Sequence, residues 1–459
     1  MARELRRENR AELSGLTDRF SAFVAATRWE DVPAAVRHEA KRSIMNHVAA
    51  ALAGCRDPAL DIAIAVYGRF AADTTASLFG RAEKTDCLNA AMLNAMSANA
   101  FDFDDTHMPT IIHPSAPVAP ALFALAETRG LSGQHFLLAF ILGVEIECRL
   151  GNAVSPAHYA RGWHITSTCG VFGAAAAASK AMTLDALHIG WAIGHASAQS
   201  SGLVETLGSM SKSVGVGNAA RNGLVSSLLA ERGFSGPAMP LEGPHGFLRV
   251  MGEDLDTNAL TAELGERWEI MANTYKPYPC GVVLNPVIES CLALRHHPRF
   301  ALADIVRVVI TGNPLLRQRT DRPNVIFGRE AQVSAQHGVA VALARGKAGL
   351  AEFTDAAVAD PALHDFGAKL RFIDDTDFAV ESAAVTLEMK SGEPLSHRVV
   401  VARGSLGAPL SDSDIENKLK NLGNYGAPQV DAGALIDAIW TLDNSDAAGS
   451  LMALASGRA

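Results

Sequence analysis

Side chains that exchange protons or bind cations are concentrated between residues 101 and 115, in the segment FDFDDTHMPTIIHPS. The segment lies between Ala- and Leu-rich stretches that are typical of helical core. Its candidate groups are Asp102, Asp104, Asp105, Thr106, His107 and His113. Burying so many titratable groups costs stability unless they are solvated, paired or coordinating an ion. The segment therefore predicts a proton-transfer site or a metal site, and the alternative is a solvated loop whose acids cap the next helix.

The spacing of these groups suggests how they would act together. Asp102, Asp105 and Thr106 lie at positions i, i+3 and i+4, so they would share a face if the preceding helix continued through them. Asp104 would then point elsewhere, and His113 would follow on a loop placed to swing back over that face. An aspartate–histidine pair with tuned pKa values can take a proton from carbon or protonate a departing hydroxyl.

Two later segments carry groups suited to binding an anion. His164 stands at a predicted helix start in YARGWHITST, where free amide groups favour a carboxylate. Lys212, in SMSKSVGVGNAARNG, precedes Gly215, Gly217 and a helix of small residues, so an ammonium group and backbone amides could meet at one anion. The segment lacks the GxxxxGK[ST] order of a P-loop. The alternatives are a histidine packed beside Trp163 and a solvated lysine before glycines that serve close helix packing.

The segment YKPYPCG, residues 275 to 281, predicts a rigid turn that could form the wall of a cleft, because it contains two prolines and a glycine. Tyr278 and Cys280 are its candidate substrate contacts, although most unpaired cysteines are packing residues. His337, in SAQHGVAVAL, is a further candidate on a predicted helix face, where packing is the usual role of a histidine.

Composition excludes several classes of protein. The chain has 459 residues, 48% of them hydrophobic and 19% charged, which favours two or three folded domains with a large buried core over disorder. Its formal charge is −9 and no Lys/Arg run is dense enough to follow a phosphate backbone, so we expect no nucleic-acid partner. The longest apolar run, residues 136–144, is too short to span a membrane. Six cysteines without a CxxC motif and a charged N-terminus without an apolar signal segment predict a cytoplasmic protein.

Hydrophobic periodicity predicts successive helices over the first 270 residues. Their ranges are 31–54, 86–98, 114–130, 132–153, 164–181, 184–200 and 213–232. Beyond them the pattern predicts strands at 305–310, 382–389 and 396–401, helices at 282–296 and 331–346, and three short helical segments after Pro409. The expected fold is mainly α, with a large all-helical domain at 1–271 and 406–459 and a smaller inserted α+β lid domain at 272–405.

Taken together, five segments resemble the MmgE/PrpD family, which includes 2-methylcitrate dehydratase, cis-aconitate decarboxylase and iminodisuccinate epimerase. They are NAFDFDDTHMPTIIHPS, HYARGWHITSTCGVFGA, GSMSKSVGVGNAARNG with ERGFSGPAMPLEGPHGF, YKPYPCG and SAQHGVAVALARGKAG. Their order and spacing cover residues 90 to 350. The combination of DFDDTH and HPS, GWH and KPYPCG is specific, whereas each motif alone is weak.

The resemblance implies a homodimer of chains that each have a helical domain and an α+β lid domain, with the active site between the two domains. It also implies chemistry without a metal ion or an organic cofactor. Carried over position by position, the residues that would line the pocket are Asp102, Thr106, His113, His164 and Lys212.

The chain departs from its relatives at three positions. In the decarboxylase branch a further histidine lies where this chain has Gly281, and many relatives have a histidine where it has Asn285. A tyrosine often stands just before the position of His337, where this chain has Gln336. These departures argue against cis-aconitate decarboxylation and leave the exact reaction open.

The predicted function is that of a cofactor-independent lyase, similar to 2-methylcitrate dehydratase, which removes a proton next to a carboxylate of a small di- or tricarboxylate. His164 and His113 would be the base and the acid, and Lys212 would hold a carboxylate and its developing charge. Asp102 would orient one histidine, and Thr106 would position a substrate oxygen.

Three alternatives stay open. The same pocket could serve an epimerase or isomerase of a small dicarboxylate, if a proton returns on the opposite face. A metal-dependent hydrolase or lyase would use Mg²⁺ or Mn²⁺ on the carboxylates of the 102–105 segment and His107. The third alternative is a helical binding protein that has lost catalysis.

Overall fold

The computed structural model describes residues 13–457, apart from the side chains of residues 364, 365 and 367. Residues 1–12, to which the prediction of no signal segment refers, lie outside this range. The fold is mainly α, as predicted: 57% of the chain is helical, well above the third that is usual in globular proteins.

The α-helices are α1 Leu16–Ala26, α2 Ala34–Gly54, α3 Pro58–Tyr67, α4 Cys87–Ala98, α5 Ser115–Arg129, α6 Gly133–Val154, α7 Ala157–Ala160, α8 Ile165–Ala181, α9 Ala186–Ser197, α10 Ser211–Glu231, α11 Phe247–Met251, α12 Thr257–Thr261, α13 Asn285–Arg295, α14 Pro314–Thr320, α15 Gly328–Ala331, α16 Ala335–Arg345, α17 Asp355–Val358, α18 Pro361–Lys369, α19 Asp412–Gly426, α20 Ala432–Trp440 and α21 Ser450–Ala455. The strands are β1 Ala76–Ser77, β2 Lys84–Thr85, β3 Asp105–His107, β4 Asn273–Tyr275, β5 Ile305–Gly312, β6 Leu370–Asp374, β7 Ala383–Met389 and β8 Leu395–Val399. Among the described residues, every helix is too short or too polar to cross a lipid bilayer.

Capping groups explain three of the predicted helix ends, namely the starts of α4 and α6 and the end of α5. The carboxylate of Asp86 accepts hydrogen bonds from the amides of Leu88 and Asn89 at the start of α4. The hydroxyl of Ser132 accepts one from the amide of His135 in α6. Gly130 ends α5 with φ 69°, a left-handed conformation that favours glycine.

The chain divides into two compact units. The helical unit comprises residues 13–100, 104–273 and 412–457, and the α+β unit comprises residues 101–103 and 274–411. Since α8 is buried along its whole length, it forms the centre of the helical unit, where it contacts α5, α6, α9 and α10. Glycines allow this close packing: a Cβ on Gly223 of α10 would lie 2.8 Å from the carbonyl oxygen of Val171 in α8.

The α+β unit contains one four-stranded sheet in the order β6-β5-β7-β8. Strand β5 pairs in parallel with β6 and antiparallel with β7, and β7 and β8 form the predicted hairpin. Buried alternate residues of these strands form one core with α13 and α16, which were also predicted. Strand β6 was not predicted, because the segment LRFID follows a helix directly and only its pairing with β5 identifies it.

Candidate active site

The acidic segment is a loop and a short strand, so the condition under which Asp102, Asp105 and Thr106 would share a helical face is not met. Helix α4 ends at Ala98, and Asp102 takes the left-handed conformation, with φ 51°, which interrupts a helix. Residues 105–107 then form β3. Asp105 and Thr106 are therefore neighbours on a strand and point to opposite sides, rather than sharing a helical face with Asp102.

The acids of the helical unit in this segment are buried, so the alternative of a solvated loop is wrong, although Asp105 does cap the next helix, as that alternative expected. Asp104 and Asp105 both have no exposed surface. The carboxylate of Asp105 accepts hydrogen bonds from the amide (3.3 Å) and the hydroxyl of Ser115 and from the side-chain amide of Asn273 (2.7 Å). Burial raises the pKa of Asp105 to about 6, although these donors oppose the rise. Asp105 thus ties the start of the segment to the start of α5.

His113 lies where three oxygens of the same segment meet. Its Nδ1 is 2.6 Å from the main-chain carbonyl oxygen of Asp105, 3.3 Å from the hydroxyl of Thr106 and 3.6 Å from a carboxylate oxygen of Asp104. The side chain of His113 is 12% exposed, so part of the ring can still meet a small molecule. Thr106 is buried and contacts His113, the histidine that was predicted to line the same pocket.

His164 is the N-cap residue of α8, at the helix start that the sequence predicted. Its Nδ1 lies 2.8 Å from the hydroxyl of Ser167, and its main-chain amide donates to the carbonyl of Gly202 (3.0 Å). The side chain is almost fully buried, with 4% exposed. The ring is therefore held in place by its own helix and by the segment that precedes α10.

Contacts within the helical unit bring three candidate segments together. The main-chain amide of His113 donates to the hydroxyl of Thr166, two residues beyond His164 (3.1 Å). A Cβ on Gly215 would lie 2.7 Å from the hydroxyl of Ser167, so the first turns of α10 and α8 touch. Lys212 is in that first turn of α10, three residues before Gly215, and it is partly exposed. The loop with His113, the start of α8 and the start of α10 thus meet at one place.

Asp102 belongs to the α+β unit, where its partner is Lys276. The Nζ of Lys276 lies 3.2 Å from a carboxylate oxygen of Asp102 and donates to its main-chain carbonyl (2.9 Å). The lysine side chain is 2% exposed and the aspartate side chain 19%, so the ion pair is buried on the side of the lysine. The role of Asp102 in orienting a histidine stays a prediction.

The other candidates of the α+β unit surround the same turn or belong to its core. Burial raises the pKa of Tyr278 to about 12 and also raises the pKa of the buried Cys280 thiol, which lies 3.6 Å from the side-chain oxygen of Asn285. His337 is buried in α16, where its Nε2 donates to the carbonyl of Glu352 (2.7 Å) and its ring packs against Phe353. Their roles in substrate binding stay predictions.

Sequence reasoning gave no role to Lys276, Ser167 or Asn99, and it placed Asp104 away from the site. A lysine within the proline-rich turn YKPYPCG is a signal that could have identified Lys276, because an isolated buried cation requires a partner. Asn99, whose amide donates to Asp104 (2.6 Å), follows directly on a helix end and carries no such signal.

Comparison with known proteins identifies the family. The sequence model of the MmgE/PrpD N-terminal domain matches residues 18–259, and that of the C-terminal domain matches residues 278–444. The cis-aconitate decarboxylase-like protein oryM of Aspergillus oryzae is 27% identical, over 95% of this chain and 96% of its own. Cis-aconitate decarboxylase of Mus musculus is 25% identical, over 89% and 86% of the two chains, and that of Aspergillus terreus is 26% identical, over 94% of each. The two domain matches cover most of the sequence and confirm the resemblance, so the chain belongs to the MmgE/PrpD family.

Proposed function

We propose that this protein is a lyase that acts on a small di- or tricarboxylate by removing a proton next to a carboxylate, as in a dehydratase. The observation that carries the proposal is the meeting of three segments in the helical unit: the loop with His113, the start of α8 with His164 and the start of α10 with Lys212. Curated relatives whose names include cis-aconitate decarboxylase align with this chain over nearly their whole length, and they support the same substrate class.

Proton removal from such a substrate requires charge stabilisation. A carbon next to a carboxylate is too weakly acidic to ionise freely near neutral pH, so the enolate-like charge must be stabilised as it forms. Lys212 carries a positive charge in the first turn of α10, where the free amides of a helix start also favour an anion. These groups would hold a substrate carboxylate and accept the charge that develops on it.

The two histidines are the proposed acid–base groups. His113 and His164 are anchored through their Nδ1 atoms, to the carbonyl of Asp105 and the hydroxyl of Ser167 respectively, so each can present Nε2 to a substrate. Thr106 would position a substrate oxygen, and Asp102, with Tyr278, Cys280 and His337, completes the set of candidates. We also propose a homodimeric, cytoplasmic enzyme that needs neither a metal nor an organic cofactor.

Epimerisation is the second candidate reaction. The two histidines lie on separate elements, so one ring could remove a proton and the other could return one to the opposite face of the carbon. Dehydration instead requires that a hydroxyl leaves after the proton. Decarboxylation, the reaction in the relatives' names, is less favoured because Gly281 stands where the resemblance implies a histidine of that branch, and because Asn285 and Gln336 replace side chains that many relatives have.

An NMR screen in D₂O tests the proposal and separates its outcomes. Citrate, methylcitrate, cis-aconitate, iminodisuccinate, malate and tartrate are each incubated with the purified chain and with its His164→Ala variant. An alkene product from a hydroxy acid indicates dehydration, and deuterium uptake with inversion of configuration indicates epimerisation. The proposal is abandoned if every compound remains unchanged and undeuterated, or if the variant is as active as the wild type.

A further inference from the structure

The carboxylate of Asp104 is a buried charge beside the ring of His113. One of its oxygens lies 3.6 Å from Nδ1, and its side chain is 1% exposed. The other oxygen accepts a hydrogen bond from the side-chain amide of Asn99 (2.6 Å), the C-cap residue of α4. The hydrogen bond from Asn99 therefore holds the Asp104 carboxylate at the end of α4. The carboxylate lies close to the His113 ring, but it is not the hydrogen-bond acceptor of that ring.

The hydrogen-bond acceptor of His113 determines which ring nitrogen carries the proton. Nδ1 is 2.6 Å from the main-chain carbonyl oxygen of Asp105, and a carbonyl oxygen only accepts hydrogen bonds. The proton of the neutral ring must therefore be on Nδ1, which leaves the lone pair on Nε2. His164 differs, because the hydroxyl of Ser167 beside its Nδ1 can either donate or accept.

We propose that Asp104 is a positioning residue, which stabilises the protonated form of His113, while the carbonyl of Asp105 keeps the neutral ring as the Nδ1–H tautomer, so that Nε2 is the atom that takes the substrate proton. When Nε2 accepts this proton, the electron pair of the C–H bond stays on the substrate as an enolate, and the ring becomes an imidazolium ion next to the Asp104 carboxylate. The proton then passes to a leaving hydroxyl or returns to carbon, and the ring is neutral again. The effect of Asp104 on catalysis rests on the proposed function, whereas its effect on the protonation of the His113 ring does not.

Other titratable groups surround this pair and must be considered in any pH measurement. His47 of α2 interacts electrostatically with Asp104, and so does Asp105, which also interacts with the buried Glu147 of α6. Burial lowers the pKa of His47 to about 3 and raises the pKa of Glu147. The ring of His47 is then uncharged near neutral pH, and the carboxylate whose oxygen lies 3.6 Å from Nδ1 of His113 is that of Asp104.

The state of the ring can be measured without any substrate. The full chain, labelled with ¹⁵N at histidine, is titrated by NMR, and the His113 signals are assigned from the His113→Gln spectrum. The wild type should show the Nδ1–H tautomer, and Asp104→Asn should lower the titration midpoint of His113 by at least about one pH unit. Asp185→Asn, which removes an equal charge at the exposed start of α9, should leave the midpoint unchanged.

Two results would overturn the proposal: an Nε2–H tautomer in the wild type, or a midpoint that is the same in Asp104→Asn and Asp185→Asn. The first measurement does not depend on any Asp104 variant. If Asp104→Asn does not fold, Asp104→Ser is measured in its place, because it removes the same charge with a smaller side chain. Asp104→Glu, which keeps the charge, should restore the wild-type midpoint.

Kinetics with a substrate identified in the D₂O screen give the catalytic readout. Asp104→Asn should lower kcat about 10-fold or more with little change in KM, because the residue acts on the base and not on the bound substrate. A rise in KM alone would contradict the positioning role. If the NMR midpoint shifts but no polycarboxylate is turned over by the wild type, the assignment of Asp104 stands and the proposed function fails.

Discussion

The charged side chains of the candidate site differ in burial, and the buried ones depend on neighbouring hydrogen-bond donors. Asp105 receives donors from Ser115 and Asn273, and Asp104 receives one from Asn99. Lys212, in contrast, is partly exposed at a helix start, where a charge can be used for binding instead of structure. A residue with a binding role can therefore be removed at a smaller cost in stability than its buried neighbours.

This difference leads to a prediction for Lys212 and His164. Lys212→Ala and His164→Ala should each reduce turnover by at least about 100-fold, because each removes a charge-stabilising or acid–base group. Lys84→Ala in β2 and His188→Ala in α9 are matched controls that remove the same residue types elsewhere. Steady-state kinetics of the folded variants provide the measurement. Near-normal turnover in either site variant would exclude that residue from the mechanism.

Residue types and spacing were sufficient to identify His113, His164, Thr106 and Lys212 as candidates, but not their contacts. The segment DFDDTH does not show which aspartate faces a histidine, because that depends on the left-handed conformation at Asp102. Once the helix ends at Ala98, Asp104 lies next to His113 although the two are nine positions apart. Side-chain direction in an irregular loop requires backbone torsions, which periodicity does not supply.

At the scale of helices, glycines set the distance between α8 and α10. A Cβ on Gly215 would meet the side chain of Ser167, and only its hydroxyl closely (2.7 Å), whereas one on Gly223 would meet the backbone of α8 and the Cβ of Ala174 at 2.5 Å. A hydroxyl can rotate away, but packed backbone cannot. The two positions should therefore separate an effect on the site from an effect on stability.

We expect Gly223→Ala to lower the free energy of unfolding by about 1–3 kcal/mol, because overpacking exceeds the gain in helix propensity. Gly215→Ala should change stability by less than about 1 kcal/mol but lower kcat about 10-fold, because displacing Ser167 moves the His164 ring. Urea unfolding and kinetics of both variants provide the comparison. Equal losses of stability with full activity in Gly215→Ala would contradict the link between α10 and His164.

Helix α2 carries a buried histidine whose ionisation should be visible in the stability of the protein. The ring of His47 packs against Phe79 and Phe123, and neither ring nitrogen has a hydrogen-bond partner among residues 13–457. Burial lowers its pKa from 6.5 to about 3. Between these values the unfolded chain binds a proton that the folded chain does not bind, so stability falls as the pH decreases.

His47→Phe keeps an aromatic ring at this position and removes the titration. Between pH 7.5 and pH 5 the wild type should lose about 2 kcal/mol more of its free energy of unfolding than the variant, since one pKa unit corresponds to about 1.4 kcal/mol. Chemical denaturation at several pH values measures both slopes. Parallel slopes would show that His47 becomes protonated in the folded state.

For the whole molecule, the sequence predicted the kind of element better than long-range pairing. Capping residues and periodicity located α2, α4, α5, α6 and α8, because these signals are local. Strand β6, in contrast, depends on its pairing with the distant β5. Residues 101–103 likewise belong to a different unit from the rest of their segment because of contacts with distant parts of the chain. The predicted lid arrangement, homodimer and domain bounds stay predictions for the same reason.

Each of the groups that suggested a metal-dependent enzyme has at least one protein partner. Asp104 and Asp105 accept hydrogen bonds from side-chain amides, and Asp102 pairs with Lys276. His107 has the hydroxyl of Thr110 at Nδ1 (2.8 Å) and the carboxylate of Glu269 at Nε2 (3.1 Å). A cation at this segment would have to displace an ammonium group or several buried amides, each of which would lose its partner.

We therefore expect dialysis against EDTA to leave turnover unchanged, and added Mg²⁺ or Mn²⁺ to leave both turnover and Tm unchanged. The melting temperature is an independent readout, because an ion that binds only the folded chain must raise Tm with its concentration, whether or not it takes part in the reaction. A chain dialysed without EDTA controls for losses during handling. Activity that disappears with EDTA and returns with Mg²⁺ or Mn²⁺ would instead support the metal-dependent alternative, since the ion would then have to outcompete Lys276 for the carboxylate of Asp102.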